Sequence, residues 1–136
     1  MTGHILLIED NHENATMMTR LLETEGYQVK HYDRGLEGTR AARSDRPAVI
    51  LLDFDLPDID GRSLILVLRR QLGMDSAPPI IAVTARVSQM ERMVARRFGC
   101  DAFIGKPFDP QDFLTVVSRF MPKKTDQAQS VPNENT

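Results

Sequence analysis

Four short polar segments, far apart in the chain, carry the groups able to do chemistry: Glu9-Asp10, Asp53, Thr84-Ala85 and Lys106-Pro107. Each lies at or just past the end of an apolar run. Taken singly they have ordinary readings. Asp10 or Asn11 caps a helix, Asp53 is a solvated loop acid, Thr84 is a β-branched strand residue and Lys106 is a surface lysine. Taken together they describe a reactive centre. Two carboxylates about 5 Å apart repel by roughly 3 kcal/mol at an effective dielectric of about 20. Asp10 and Asp53, with Glu9 beside them, therefore call for a cation. Hard oxygen donors with open positions suit Mg2+, with Mn2+ as a substitute. Lys106 supplies a second, movable cation on the other side, and the Thr84 hydroxyl donates to an oxyanion. A metal, an ammonium and a hydroxyl around one carboxylate suit a planar, negatively charged phosphoryl group in transfer. Asp53 is then the nucleophile and its product an acyl phosphate. A weak nucleophile suffices when the donor is reactive and aligned.

These residues converge only if the intervening elements bring them together. Apolar runs of strand length occupy residues 5–8, 28–32, 48–52, 80–83 and 102–104. Helical spacing appears between them. Residues 16–22 carry Met17, Met18, Leu21 and Leu22, with Gly26 as a stop; residues 35–42 follow Asp33 as a cap. Residues 62–72 carry Leu64, Ile65, Leu68 and Leu72, closed by Gly73; residues 88–98 open on the capping-box pattern Ser88 to Glu91 and end at Gly99. Asp109-Pro110 starts the last helix, whose apolar face is Phe113, Val116, Val117 and Phe120. Five β-α repeats predict an α/β fold, a doubly wound (βα)5 parallel sheet of flavodoxin-like type with strand order 2-1-3-4-5. Its crevice lies at the carboxyl ends of strands 1 and 3, where the four segments fall.

Composition narrows the class further. The chain has 136 residues, one cysteine (Cys100) and a net charge of −2. One domain over residues 1–122 is expected, with a disordered polar tail at 123–136. A single cysteine excludes an intramolecular disulfide and fits a reducing, cytoplasmic setting. Balanced charge argues against nucleic acid or a membrane surface as partner. No apolar run approaches the roughly 18–20 residues of a membrane span, and the start Met1-Thr2-Gly3-His4 lacks a signal peptide's features. His4, His12 and His31 lack ligand spacing on one face and read as surface or structural residues.

The sequence closely resembles the receiver domains of two-component response regulators, in their single-domain, chemotaxis-regulator-like form. The residues carrying the resemblance are Ile5-Leu6-Leu7-Ile8-Glu9-Asp10-Asn11, the run from Leu51 to Gly61, Val83-Thr84-Ala85 and Lys106-Pro107-Phe108. The resemblance implies a phosphorelay signalling protein in which Asp53 accepts a phosphoryl group from a histidine kinase or histidine phosphotransfer protein. It implies that Glu9, Asp10, Asp53 and the backbone carbonyl of Asp55 hold Mg2+, that Thr84 and Lys106 bind the phosphoryl oxygens, and that Lys106-Pro107 is cis. The small residue admitting the phosphodonor is Ala85. The switch aromatic, commonly tyrosine, is Phe103 here, without a hydroxyl. Asp55 and Arg86 are expected to pair over the phosphoryl site and hinder water. The face of helix 4, strand 5 and helix 5, with Arg92, Arg96 and Arg97, is the expected contact for a downstream protein. With no effector domain in the sequence, the chain is expected to act by protein contacts and to catalyse only its own phosphorylation and dephosphorylation.

Other classes fit less well. Asp53-Phe54-Asp55 also resembles the first motif of haloacid-dehalogenase phosphatases, but it sits on the third strand with too little chain after it. A flavodoxin-like binding module would want a glycine- or hydroxyl-rich phosphate loop after strand 1, where Glu9 to Glu13 is acidic. A receiver cut from a longer chain is the third alternative.

Overall fold

The computed structural model describes residues 3–73 and 77–122. The expected tail, 123–136, lies outside them. Strands and helices alternate: β1 His4–Ile8, α1 His12–Thr24, β2 Gln28–Tyr32, α2 Gly35–Ser44, β3 Val49–Leu52, α3 Gly61–Leu72, β4 Ile80–Thr84, α4 Gln89–Phe98, β5 Ala102–Gly105 and α5 Pro110–Phe120. All strand pairs are parallel and the order is β2-β1-β3-β4-β5, as the sequence predicts.

The three inner strands are buried at every position, which is why they read as unbroken apolar runs. Their side chains alternate between two cores. Ile5, Leu7, Leu51, Ile81 and Val83 pack with Met18, Leu22, Phe113 and Val117 under α1 and α5. Leu6, Ile8, Ile50, Leu52 and Ala82 pack with Ala42, Leu64, Ile65, Leu68 and Ala95 under α2, α3 and α4. At the amino-end side of β4, the buried Arg69 donates from Nε and Nη2 to the Gly99 carbonyl (3.0 and 2.6 Å) and from Nη1 to that of Pro78 (3.1 Å). Among the described residues no helix is long and apolar enough to cross a membrane.

Two helix starts are set by caps that apolar spacing does not show. α1 begins at His12, ahead of the apolar spacing that starts at residue 16, because Asn11, one of the two caps the sequence offers, accepts from Asn14 N at 2.8 Å. Its first turn is polar, and a hydrophobic period cannot register it. Asp33 does not cap α2. Arg34 occupies that position without a side-chain cap bond. The orphan N–H groups are satisfied from a distant loop: Asp58 accepts from Gly35 N at 2.8 Å and Leu36 N at 2.9 Å. The β3–α3 loop thereby folds over the start of α2. At α4, Ser88 accepts from Glu91 N at 3.1 Å, while the Glu91 carboxylate turns to Arg62 Nη1 at 2.9 Å.

Asp58→Ala should lower unfolding free energy by about 1 kcal/mol, the usual loss for an N-terminal cap, and Asp33→Ala by much less. Urea titration of the two variants checks this. A larger loss for Asp33→Ala would place the cap back at the sequence-predicted residue.

Candidate functional site

The site follows from strand register. Ile8 of β1 is paired with Leu52 of β3, so Glu9 and Asp53 leave neighbouring strands at the same level. Backbone bonds extend the alignment past the strand ends. Asp53 N donates to Ile8 O (3.1 Å), Glu9 N to Tyr32 O (3.0 Å) and Lys106 N to Thr84 O (2.9 Å). Carboxylate oxygens of Glu9, Asp10 and Asp53 come within 4.8 Å of one another. Glu9 and Asp53 are buried, with side chains 1% and 8% exposed, while Asp10 stands at the open rim.

Lys106 reaches the acids from the end of β5. Its Nζ lies 2.7 Å from Glu9 Oε1 and 2.9 Å from Asp53 Oδ2, bridging the two buried carboxylates. Neither acid can shed its charge to water, so the nearest ammonium is drawn between them. The other carboxylate oxygens take backbone donors: Asn11 N to Glu9 Oε2 at 3.1 Å, and Phe54 N to Asp53 Oδ1 at 2.6 Å. Burial pushes the Glu9 carboxyl above its ordinary value, opposed in part by the bond from Lys106. Burial acts against the Lys106 charge, but the bonds and charges of Glu9 and Asp53 outweigh it and hold the ammonium above its ordinary pKa.

Three hard oxygen donors converging beside an open rim fit a small divalent cation such as Mg2+. Among the described residues the Asp55 carbonyl accepts no hydrogen bond, whereas its neighbour Phe54 O takes two, from Leu56 N and Gly61 N. Thr84 ends β4 fully buried; its hydroxyl accepts from Arg86 N at 3.2 Å and makes no bond to Asp53. Lys106-Pro107 is cis. Ala85, Lys106, Pro107, Phe108, Met17 and Met18 help line a groove of about 300 Å³ that shares Lys106 with the acid cluster.

Asp55 and Arg86 do pair, Oδ1 to Nε at 2.8 Å, both about half exposed. Phe103 lies away from the carboxylates. It is half-buried, with its ring edge-on to Phe54 at 5.9 Å and the Arg92 guanidinium 4.7 Å from its centroid. His31 Nε2 lies 2.7 Å from Glu9 O, a structural contact.

Residues 5–118 match the response regulator receiver domain family. The chain belongs to that family. It is 31% identical to the polar-differentiation response regulator DivK of Brucella ovis over 121 residues, covering 89% of this chain and 98% of DivK. It is 34% identical to the transcriptional regulatory protein CreB of Escherichia coli K12, covering 83% of this chain and 48% of CreB. The chain thus spans about half the length of CreB. Among solved structures, the receiver domain of the sensor histidine kinase PA1611 of Pseudomonas aeruginosa PAO1 superimposes with a TM-score of 0.78 at 32% identity, covering 88% of this chain and 98% of that one. That structure is described with a magnesium ion coordinated in its active site cleft. The receiver family is part of two-component signalling, as the sequence predicts, and its acidic pocket is suited to magnesium.

Sequence reasoning on single residues missed two supports of this receiver's site. One is Phe54, whose N–H fixes Asp53 Oδ1 and whose ring meets both Phe103 and, at 6.0 Å, the Arg62 guanidinium. The other is Gly61. A Cβ there would stand 2.3 Å from Asp53 O and 2.4 Å from Phe54 Cα, both backbone atoms that cannot swing aside. The glycine permits the first turn of α3 to press against the turn that presents Asp53.

Gly61→Ala should therefore destabilise the fold by roughly 1–3 kcal/mol, the usual range for overpacking. Calorimetric unfolding tests this; an unchanged melting temperature would show that the close approach carries no constraint.

Proposed function

We propose that Asp53 is the phosphoacceptor of this receiver and that its donor is a phosphohistidine on a sensor kinase or phosphotransfer protein. The observation carrying the reading is the bridge of Lys106 between Asp53 and Glu9, with Asp10 within reach. An Asp53 carboxylate oxygen attacks phosphorus. The P–N bond to the donor imidazole breaks, its electron pair stays on nitrogen, and that nitrogen takes up a proton. Bound Mg2+, held by Glu9, Asp10, Asp53 and the Asp55 carbonyl, would supply positive charge to the phosphoryl oxygens. Lys106 is charged and already positioned to follow one of those oxygens as negative charge shifts from donor to Asp53. Thr84 holds its hydroxyl at the end of β4, from where a small movement brings it to a second oxygen. Ala85, having no bulk, leaves the approach open.

The consequence is a shift between conformers. Phosphorylation adds charge and strong acceptors at Asp53. Thr84 is drawn inward, and Phe103 follows into the space it leaves. Lacking a hydroxyl, Phe103 moves by packing alone. The output contact is the face of α4, β5 and α5, read by a downstream protein. The chain transfers phosphoryl groups to itself and hydrolyses its own acyl phosphate, without turning over other substrates. The Asp55–Arg86 pair hinders the water that attacks phospho-Asp53.

Intact mass after incubation with acetyl phosphate and Mg2+ should show one phosphoryl adduct on the wild type and none on Asp53→Asn. An adduct that survives the substitution would move the acceptor elsewhere. Continued turnover of phosphate esters would instead indicate a phosphatase. The acyl-phosphate half-life should shorten in Arg86→Ala; an equal or longer half-life removes the gate. Burial raises the Glu9 pKa, so Glu9 takes up a proton at higher pH than an ordinary glutamate as pH falls. Magnesium affinity, followed by calorimetry, should weaken over that same window, and Glu9→Gln should remove that part of the pH dependence. An identical pH profile in wild type and Glu9→Gln would exclude Glu9 from the metal site.

A further inference from the structure

Packing brings together two histidines that spacing in the sequence puts on no common face. His12 opens α1 and His31 lies on β2, yet their rings meet edge to face with centroids 5.9 Å apart. Asp33, just past the end of β2, sets its Oδ2 3.7 Å from His12 Nε2. His31 Nε2 lies 2.7 Å from Glu9 O, and a carbonyl oxygen only accepts, so Nε2 carries the proton. In the neutral ring the lone pair then sits on Nδ1. Metal-binding histidines are ordinarily oriented in this way, by a hydrogen bond from the other ring nitrogen. The His12–Asp33 separation is too long for a hydrogen bond. It is close to the ~3.3 Å between two ligand atoms of a tetrahedral ion with bonds of about 2.0–2.1 Å. Two imidazoles on such an ion have ring centres about 5 Å apart, near the observed spacing. Both gaps close by rotation of His12 and Asp33, whose side chains are 77% and 48% exposed. The two rings line a groove of about 350 Å³ with Thr16 and Thr19, open enough for a water on the same ion. Arg20 and Glu23, a cation and an acid, line it two and three turns further along α1.

We propose that His12 Nε2, His31 Nδ1 and Asp33 Oδ2 form a second metal site, for a borderline-soft divalent ion: Zn2+, with Cu2+ and Ni2+ as substitutes. Imidazole nitrogen selects these ions, whereas Mg2+ takes oxygen donors. The site therefore differs in chemistry from the acid pocket, whose donors at Glu9, Asp10 and Asp53 are all oxygen. Three protein ligands and one water complete a tetrahedral shell. The His31–Glu9 bond, and the step of two residues from Asp10 to His12, place the ion on the turn that carries two of the three pocket acids. Once bound, it ties the start of α1 to the end of β2 across that turn. The inference uses no phosphoryl chemistry and stands apart from the phosphoacceptor reading.

The test titrates Zn2+ by calorimetry into the untagged full chain carrying Asp10→Asn and Asp53→Asn, a background that disables the acid pocket. One Zn2+ should bind per chain, and excess Mg2+ should not displace it. His12→Ala and His31→Ala should each weaken binding by about tenfold or more, and Asp33→Asn by less. Zn2+ should raise the unfolding temperature of the background chain, because it binds the folded state preferentially. It should leave that of the His12→Ala chain unchanged. His12 is a surface side chain, so this variant gives a reading even where His31→Ala disturbs the fold. Long-range 1H–15N NMR of the imidazoles should show His31 as the Nε2–H tautomer, with its Nδ1 resonance shifting when zinc is added. Binding as tight in His12→Ala as in the background, or His31 signals that zinc leaves in place, would overturn the inference. So would displacement by Mg2+, which would return the ion to oxygen donors. Weak binding of several ions per chain, unaltered by any histidine variant, would show an adventitious ion only. Failure of wild-type Asp53 to accept phosphate would remove the phosphoacceptor reading and leave this site standing.

Discussion

Like charges held out of water are the constraint around which this molecule is organised. Glu9 and Asp53 leave adjacent parallel strands side by side, both buried, with Asp10 at the rim. Such a pair persists only if positive charge is supplied at short range. The chain supplies it from β5 through Lys106, a residue 97 positions from Glu9 and 53 from Asp53. The bridge therefore closes the sheet end electrostatically, and it leaves the site ready for a stronger cation and an incoming anion. Reactivity at Asp53 and the need to neutralise Asp53 are the same physical fact.

The scaffold serves that arrangement with little slack. Register between β1 and β3 sets the two acids level with each other. Gly61 lets α3 begin against the Asp53 turn, and Phe54 ties one Asp53 oxygen to the backbone. Phe54 also links the acid pocket to two contacts on α4: through Arg62 to Glu91, and through Phe103 to Arg92. These are neighbouring residues of one helical turn. A change at Asp53 consequently has two packed routes to the same part of the surface.

Much of this was legible in the residues alone, for physical reasons. Parallel inner strands such as Val49–Leu52 are apolar on both faces and stand out without any periodicity. The four polar segments were legible because each ends such a run. The start of α1 was legible as a cap at Asp10 or Asn11 but not from spacing, since Asn11 to Asn14 has no apolar period. Nor was the capping of α2 by Asp58, which joins residues 22 and 23 positions apart through a loop whose path no local signal reveals. The bridging position of Lys106 also escaped local reading. A lysine's type predicts its charge, and only the burial of its neighbours dictates where that charge must sit.

The most direct measurement of this account is the unfolding free energy of Lys106→Met against wild type, each with and without Mg2+. Removing the ammonium should leave two buried carboxylates uncompensated and cost about 3–5 kcal/mol. Magnesium should restore more stability to the variant than it adds to the wild type, because the metal replaces the missing cation. A Lys106→Met protein as stable as wild type, or one indifferent to Mg2+, would contradict the claim that these distant groups form one electrostatic unit.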